Sequence, residues 1–75
     1  MIINVEFGLA KCTFEPRGEN GLEGYQCGCS YAYRKMKNTS KGTFYYRVFP
    51  VSGSDYYETC SSNTFGKFFE KESVN

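Results

Sequence analysis

Large side chains recur at every second position in two stretches of this chain, and this period of two predicts β-strands rather than helices. Tyrosines and cysteines alternate with small or polar residues from 25 to 33, and Phe44, Tyr46 and Val48 alternate with their neighbours in the stretch "TFYYRVFPV". Successive side chains of a strand point to opposite faces. Because the chain contains seven Phe and seven Tyr, we expect a sheet whose core is built mainly from rings.

Two further strands complete the predicted sheet. The first covers residues 3–14 with a bulge near Gly8, where the apolar positions change parity. The other covers residues 55–61. Tight turns at Asn20-Gly21 and Ser52-Gly53 are expected to pair residues whose numbers sum to 41 in the first hairpin and to 105 in the last.

A short helix is predicted after the last strand. Phe65, Phe68 and Phe69 are spaced i, i+3 and i+4, as on the buried stripe of a helix, and a serine or asparagine at 61–63 can cap its first turn. A chain of 75 residues suits a single domain, 1–75. The predicted fold is α+β: a four-stranded antiparallel β-sheet (meander) with one short C-terminal helix packed on one face. The residues expected beneath the helix are Tyr31, Tyr46, Val48 and Tyr57.

The four cysteines raise the question of a metal or redox site. A structural zinc needs four converging thiolates or imidazoles, but the chain has no histidine and a single C-x-C pair, Cys27 and Cys29. The predicted registers place Cys12 opposite Cys29, whereas Cys60 falls opposite Tyr45 on the other face. A cross-strand disulfide from Cys12 is an alternative in an oxidising compartment. We predict free thiols acting as small apolar groups, with no metal and no other cofactor.

Catalytic chemistry has little support in the sequence. Without histidine there is no ready base to activate a serine or cysteine, and no glycine-rich loop has the form that cradles phosphates. The N-terminal stretch "MIINVEFG" lacks the features of a signal peptide, and no apolar run approaches the roughly 20 residues that span a bilayer. We therefore expect a cytoplasmic protein that is not an enzyme and does not enter the membrane.

Charge is unevenly distributed along the chain. Residues 25–54 contain five basic residues and no acid, whereas both flanking segments contain more acids than bases. This basic hairpin either keeps the surface solvated or recognises an acidic partner. Its stretch "KGTFYYRV" invites comparison with an RNA-recognition signature, but the match fails at Thr43, Phe44, Tyr46 and Val48. A basic, Tyr-rich surface for nucleic acid is the alternative hypothesis.

Protein binding is the preferred hypothesis, because Tyr and Arg are enriched at interface hot spots. Side chains of the last three strands that point away from the helix would form a mixed polar and aromatic patch. A second copy of the chain is another layer that would cover those rings. The candidate partner-binding residues are Arg34, Lys35, Tyr45, Arg47, Phe49 and Tyr56.

In size, initial methionine, aromatic content and lack of catalytic groups, the chain resembles small phage or prophage proteins, including host-defence inhibitors of the anti-CRISPR kind. The stretches "VFP" at 48–50 and "TFGKFFEK" at 64–71 are similar to short prophage ββα proteins. The resemblance covers about a third of the chain. It implies a stoichiometric binder that blocks a host protein or complex in the host cytoplasm.

Overall fold

The protein folds into one antiparallel sheet with a short helix on one side, as seen in a computed structural model that describes residues 1–16, 22, 24–51 and 55–72. The sheet order is β4-β3-β2-β1-β5. The predicted turns at Asn20-Gly21 and Ser52-Gly53 lie outside the described residues. In chain order the elements are β1 (Ile2–Cys12), β2 (Ser30–Asn38), β3 (Thr43–Phe49), β4 (Glu58–Ser61), α1 (Ser62–Phe68) and β5 (Phe69–Lys71).

The predicted antiparallel sheet and short helix are confirmed, but the sheet has five strands rather than four. The extra strand is β5, which pairs with the end of β1 through Cys12 and Phe69. Phe69 has an extended backbone and ends α1, so it is not part of the helix as predicted. The sequence pattern could not decide this, because a buried residue at i+4 fits a helix and the start of an inward-facing strand equally well.

The first hairpin has the predicted register. Pairs from Glu6↔Lys35 to Lys11↔Ser30 sum to 41, and the register shifts between Asn4 and Glu6. The bulge therefore lies nearer the start of β1 than Gly8, where it was expected.

Strand β2 lies five residues further along the chain than predicted, beginning at Ser30 and ending at Asn38 instead of covering 25–33. Gly28 has φ of 93°, a left-handed conformation that interrupts an extended strand. Cys27 and Gly28 consequently form a turn, and the period-two pattern of residues 25–29 does not belong to a strand.

The register predicted for the last hairpin is wrong by one residue. Arg47 pairs with Thr59 rather than Glu58, and Cys60 pairs with Tyr46 rather than Tyr45. Because side chains alternate along a strand, this shift turns every side chain of β4 to the face opposite the predicted one. Cys60 therefore lies on the side of the sheet that α1 covers, which we call the helix side.

The core lies between α1 and the sheet and is mostly aromatic. The ring of Phe65 stacks on Tyr46, with centroids 3.9 Å apart, and contacts Tyr33 at 5.2 Å. Phe65, Phe68 and Phe69 are all buried, as predicted. The predicted packing of α1 on Tyr57 is wrong, since that ring lies against Phe49 and Arg47 on the other face.

The helix itself is only seven residues long. Its N-cap is Ser61, whose hydroxyl accepts a hydrogen bond from the Thr64 amide, so the predicted capping is confirmed. No helix in the described part of the chain is long and apolar enough to cross a membrane.

A polar latch joins β5 to the centre of the sheet beside the helix. One carboxylate oxygen of Glu6 lies 2.7 Å from Lys71 Nζ and accepts a hydrogen bond of 2.6 Å from the Tyr33 hydroxyl. The hydrogen bond from Lys71, followed by that from Tyr33, lowers the pKa of Glu6. Burial, followed by the bond to Glu6, raises the pKa of Tyr33 to about 12. Three strands are thus tied together by one carboxylate.

Removing the central ring should strongly destabilise the fold. We expect Phe65→Ala to lower the free energy of unfolding by about 3 to 5 kcal/mol, because it leaves a cavity among three other rings. Urea denaturation followed by circular dichroism measures this change. The exposed Asn63 on the same helix is the control, and Asn63→Ala should stay within about 0.5 kcal/mol of the parent. Equal stability of the two variants would contradict this packing.

The contacts of Glu6 in this latch should make the free energy of unfolding decrease as the pH falls. Since the folded-state pKa of Glu6 is lowered, its contribution is complete above the unfolded pKa of about 4.3 and is lost as pH falls through the folded value. We expect Glu6→Gln to be less stable than the parent at pH 6 and to lose less stability between pH 5 and pH 3. Denaturation at each pH tests this, and parallel profiles for the two proteins would contradict it.

Candidate functional site

The side of the sheet opposite α1 carries a group of rings and arginines that no described helix or strand covers. We call it the open face. Its members alternate with the core residues along each strand, as the pairings of β1 to β4 show. The open face consists of Phe7, Leu9, Ala32, Arg34, Met36, Tyr45, Arg47, Phe49, Thr59 and the ring of Tyr57, which precedes β4.

Four of the six predicted site residues come together on this face. Arg34 and Arg47 are direct cross-strand partners at its centre, and Tyr45 and Phe49 flank Arg47 two positions away along β3. Their use by a partner is untested and stays a prediction.

The other two predicted residues lie elsewhere. Lys35 pairs with Tyr46 and is therefore on the helix side, where its ammonium lies 4.7 Å from the Phe44 ring. Tyr56 donates a hydrogen bond to Glu58. Because of the one-residue shift in β4, Tyr57 takes the place expected for Tyr56.

Aromatic rings fix the orientation of both arginines. The Arg34 guanidinium lies 5.7 Å from the centre of the Phe49 ring. That of Arg47 lies 4.7 Å from the Tyr57 ring and 5.9 Å from the Tyr45 ring. Such contacts contribute roughly 0.5 to 1 kcal/mol each at exposed sites. They hold the two cations in place without neutralising them.

Neither guanidinium is paired with an acid of the described residues. The ion pair seen there joins Lys71 to Glu6 on the helix side. Arg47 donates through Nη2 to the Tyr45 hydroxyl at 3.4 Å, and its Nε is buried without an acceptor in the described part of the protein. The open face therefore presents two guanidinium groups for which the described residues supply no acidic acceptor.

Phe7 and Leu9 are exposed apolar residues of this face that sequence reasoning missed. They are 77% and 47% exposed, because Ala10 and Cys12 take the buried positions at this end of β1. Phe7 also lines a groove of about 330 Å³ together with Ala32, Arg34, Phe49 and Asp55.

The cysteines divide by exposure. Cys12 is buried and Cys60 half-buried, whereas Cys27 and Cys29 are exposed, and all four are free. Burial raises the pKa of Cys12, and it raises that of Cys60 to about 11. In the described ranges, no cluster of three or more cysteines and acids is arranged to hold a metal ion. The absence of a metal in the protein stays a prediction.

Comparison of the chain with protein families, with curated proteins and with solved structures gives no match. The functional interpretation therefore depends on the geometry of the open face.

The thiols should react in two classes. Because a thiolate is the reactive form, we expect Cys27 and Cys29 to react quickly with dithionitrobenzoate in the folded protein, and Cys12 and Cys60 to react slowly. All four should titrate after unfolding without reductant. As a control, Cys27→Ser should remove one fast thiol and no slow one. Fewer than four thiols in the unfolded protein, or stoichiometric zinc by elemental analysis, would contradict the prediction of free thiols.

Proposed function

We propose that this chain is a non-catalytic protein-binding module that binds its partner through the open face. The observation that carries the proposal is a sheet face that no described helix or strand covers, on which exposed Phe7 and Leu9 border two arginines that contact rings and pair with no described acid. Aromatic residues and arginine are enriched in the cores of protein interfaces and at hot spots. Apolar side chains that cluster on a surface commonly mark such interfaces.

The open face is also well prepared for binding. Burying a Phe or Leu side chain is worth about 1.5 to 3 kcal/mol relative to leaving it exposed, and Phe7 is 77% exposed. The strands and the ring contacts already order Arg34 and Arg47, so little side-chain freedom is lost when a partner docks.

The proposal extends to the role implied by the resemblance to small phage proteins: a phage-encoded stoichiometric inhibitor of a host defence protein or complex, acting in the host cytoplasm. A small domain with one binding face suits this role, because blocking a partner requires a stable contact and no chemistry. Support for this extension comes from that one-sided architecture and from the resemblance.

Nucleic-acid binding is the second candidate, and a different surface favours it. Phe44 is 41% exposed at the end of the β2–β3 hairpin on the helix side. The ammonium groups of Lys35 and Lys37 lie 4.7 Å and 5.6 Å from its ring. An exposed ring with two cations can stack a base and neutralise phosphates. The two candidate functions therefore use opposite sides of the hairpin and can be separated by mutation.

Two matched variants distinguish these functions. A partner is first captured from host lysate and purified, and its affinity is then measured for the parent, Phe7→Ser and Phe44→Ser. We expect Phe7→Ser to weaken binding by about 1 to 4 kcal/mol with an unchanged melting temperature, and Phe44→Ser to bind like the parent. Unchanged binding by Phe7→Ser at an unchanged melting temperature would contradict the proposal.

The same variants are tested against a single-stranded oligonucleotide by fluorescence anisotropy at low salt. We expect weak binding to which Phe44 makes no large contribution. Tight, steeply salt-dependent binding that Phe44→Ser abolishes and Phe7→Ser retains would favour the nucleic-acid function instead.

A further inference from the structure

At the centre of the open face two positive charges face each other across neighbouring strands. Arg34 and Arg47 are direct partners in the β2–β3 ladder, and like charges in that arrangement destabilise a sheet. Their charges are not neutralised by an ion pair with any described residue. Within the described part of the chain this charge pair is thus uncompensated, and a suitably placed anion would relieve it.

Ring contacts also hold the two guanidinium groups in place, and not all of their N–H donors have an acceptor among the described residues. Phe49 supports Arg34, while Tyr57 and Tyr45 support Arg47. Arg47 Nε is shielded from solvent and has no acceptor among the described residues. A buried donor without an acceptor is unfavourable, and more so when it is charged. A ligand reaches Nε only if the side chains that shield it move, whereas the donors of the exposed Arg34 are directly accessible.

We infer that Arg34 and Arg47 form a carboxylate-binding site that receives an acidic side chain of the partner protein, with an apolar side chain of the same segment in the adjoining groove. This inference rests on the proposed function and names the chemistry of the partner. A planar guanidinium presents donors in a fork that matches a carboxylate, and such charge-assisted pairs are stronger than neutral hydrogen bonds. The groove beside Arg34, lined by Phe7, Ala32 and Phe49, accommodates the apolar group.

The surroundings favour a protein carboxylate over the phosphates of a nucleic acid. Lys35 and Lys37, which would follow a phosphate backbone, lie around Phe44 on the helix side. Asp55 lines the groove beside Arg34, and its negative charge disfavours a run of phosphates more strongly than a single carboxylate. A second copy of the chain would place the same cationic pair against itself about a two-fold axis.

The test uses two synthetic peptides that differ only in charge: one with two glutamates among leucines and serines, and the same peptide with glutamines. Binding to the ¹⁵N-labelled chain is followed by NMR through the Nε–Hε signals of the arginines. We expect the glutamate peptide to shift the Arg34 and Arg47 signals saturably and the glutamine peptide to leave them unchanged.

Two variants separate guanidinium recognition from net charge. Arg47→Lys keeps the positive charge but removes the forked donors of the guanidinium group. It should weaken binding of the glutamate peptide about ten- to a hundredfold, as expected for lost hydrogen bonds to a charged group. Lys37→Met removes a positive charge on the helix side and should change the affinity for the glutamate peptide less than about threefold. If Arg47→Lys lowers the melting temperature, the exposed Arg34→Lys replaces it in the comparison.

Several outcomes would overturn the inference: equal binding of both peptides, equal effects of Arg47→Lys and Lys37→Met, or stronger binding of a thymidine oligonucleotide of matched charge. A concentration-dependent dimer that Arg34→Lys dissociates would assign the face to a second copy instead. If the partner still depends on Phe7 while the glutamate peptide fails to bind, the proposed function stands and the carboxylate site is wrong.

Discussion

The stack of Phe65 on Tyr46 is the contact on which the rest of the structure depends. A seven-residue helix is not stable by itself in water, so α1 exists because Phe65 packs among Tyr33, Tyr46 and Phe69. The same helix joins β4 at one edge of the sheet to β5 at the other. The packing of Phe65 on Tyr33 and Tyr46 therefore holds the segment that connects the two edge strands against the middle of the sheet.

The two faces of the sheet carry similar residue types in different arrangements. On the helix side, Glu6 meets both a lysine and a tyrosine hydroxyl, so charge and hydrogen bonds are satisfied within the fold. On the open face, Arg34 and Arg47 rest on rings and meet no acid of the described residues. Ring contacts orient a cation but leave its hydrogen-bond donors free. That difference makes the open face the better candidate for binding a partner.

Much of the fold could be predicted because its signals are local. Alternating rings predicted β3, and the period-two pattern with one turn position predicted the register of the first hairpin. The last hairpin failed because its register depends on a turn whose type the sequence does not specify, and a shift of one residue reverses every side chain. Four of six predicted site residues therefore met on the open face, while Tyr57 replaced Tyr56. Lys35 lies off the open face for a simpler reason: it is adjacent to Arg34 in β2, so its side chain points to the opposite face.

By itself, the sequence determined the strand periodicity, a helix cap within 61–63 and the burial of Phe65, Phe68 and Phe69, because each follows from spacing along a few neighbouring residues. Only the tertiary structure decided that Phe69 begins a fifth strand, since the unpaired edge of β1 that it covers is formed by residues more than 50 positions away. The exposure of Phe7 was also decided by the tertiary structure. Which face of β1 lies under α1 depends on how the helix crosses the sheet, and no local pattern encodes that crossing.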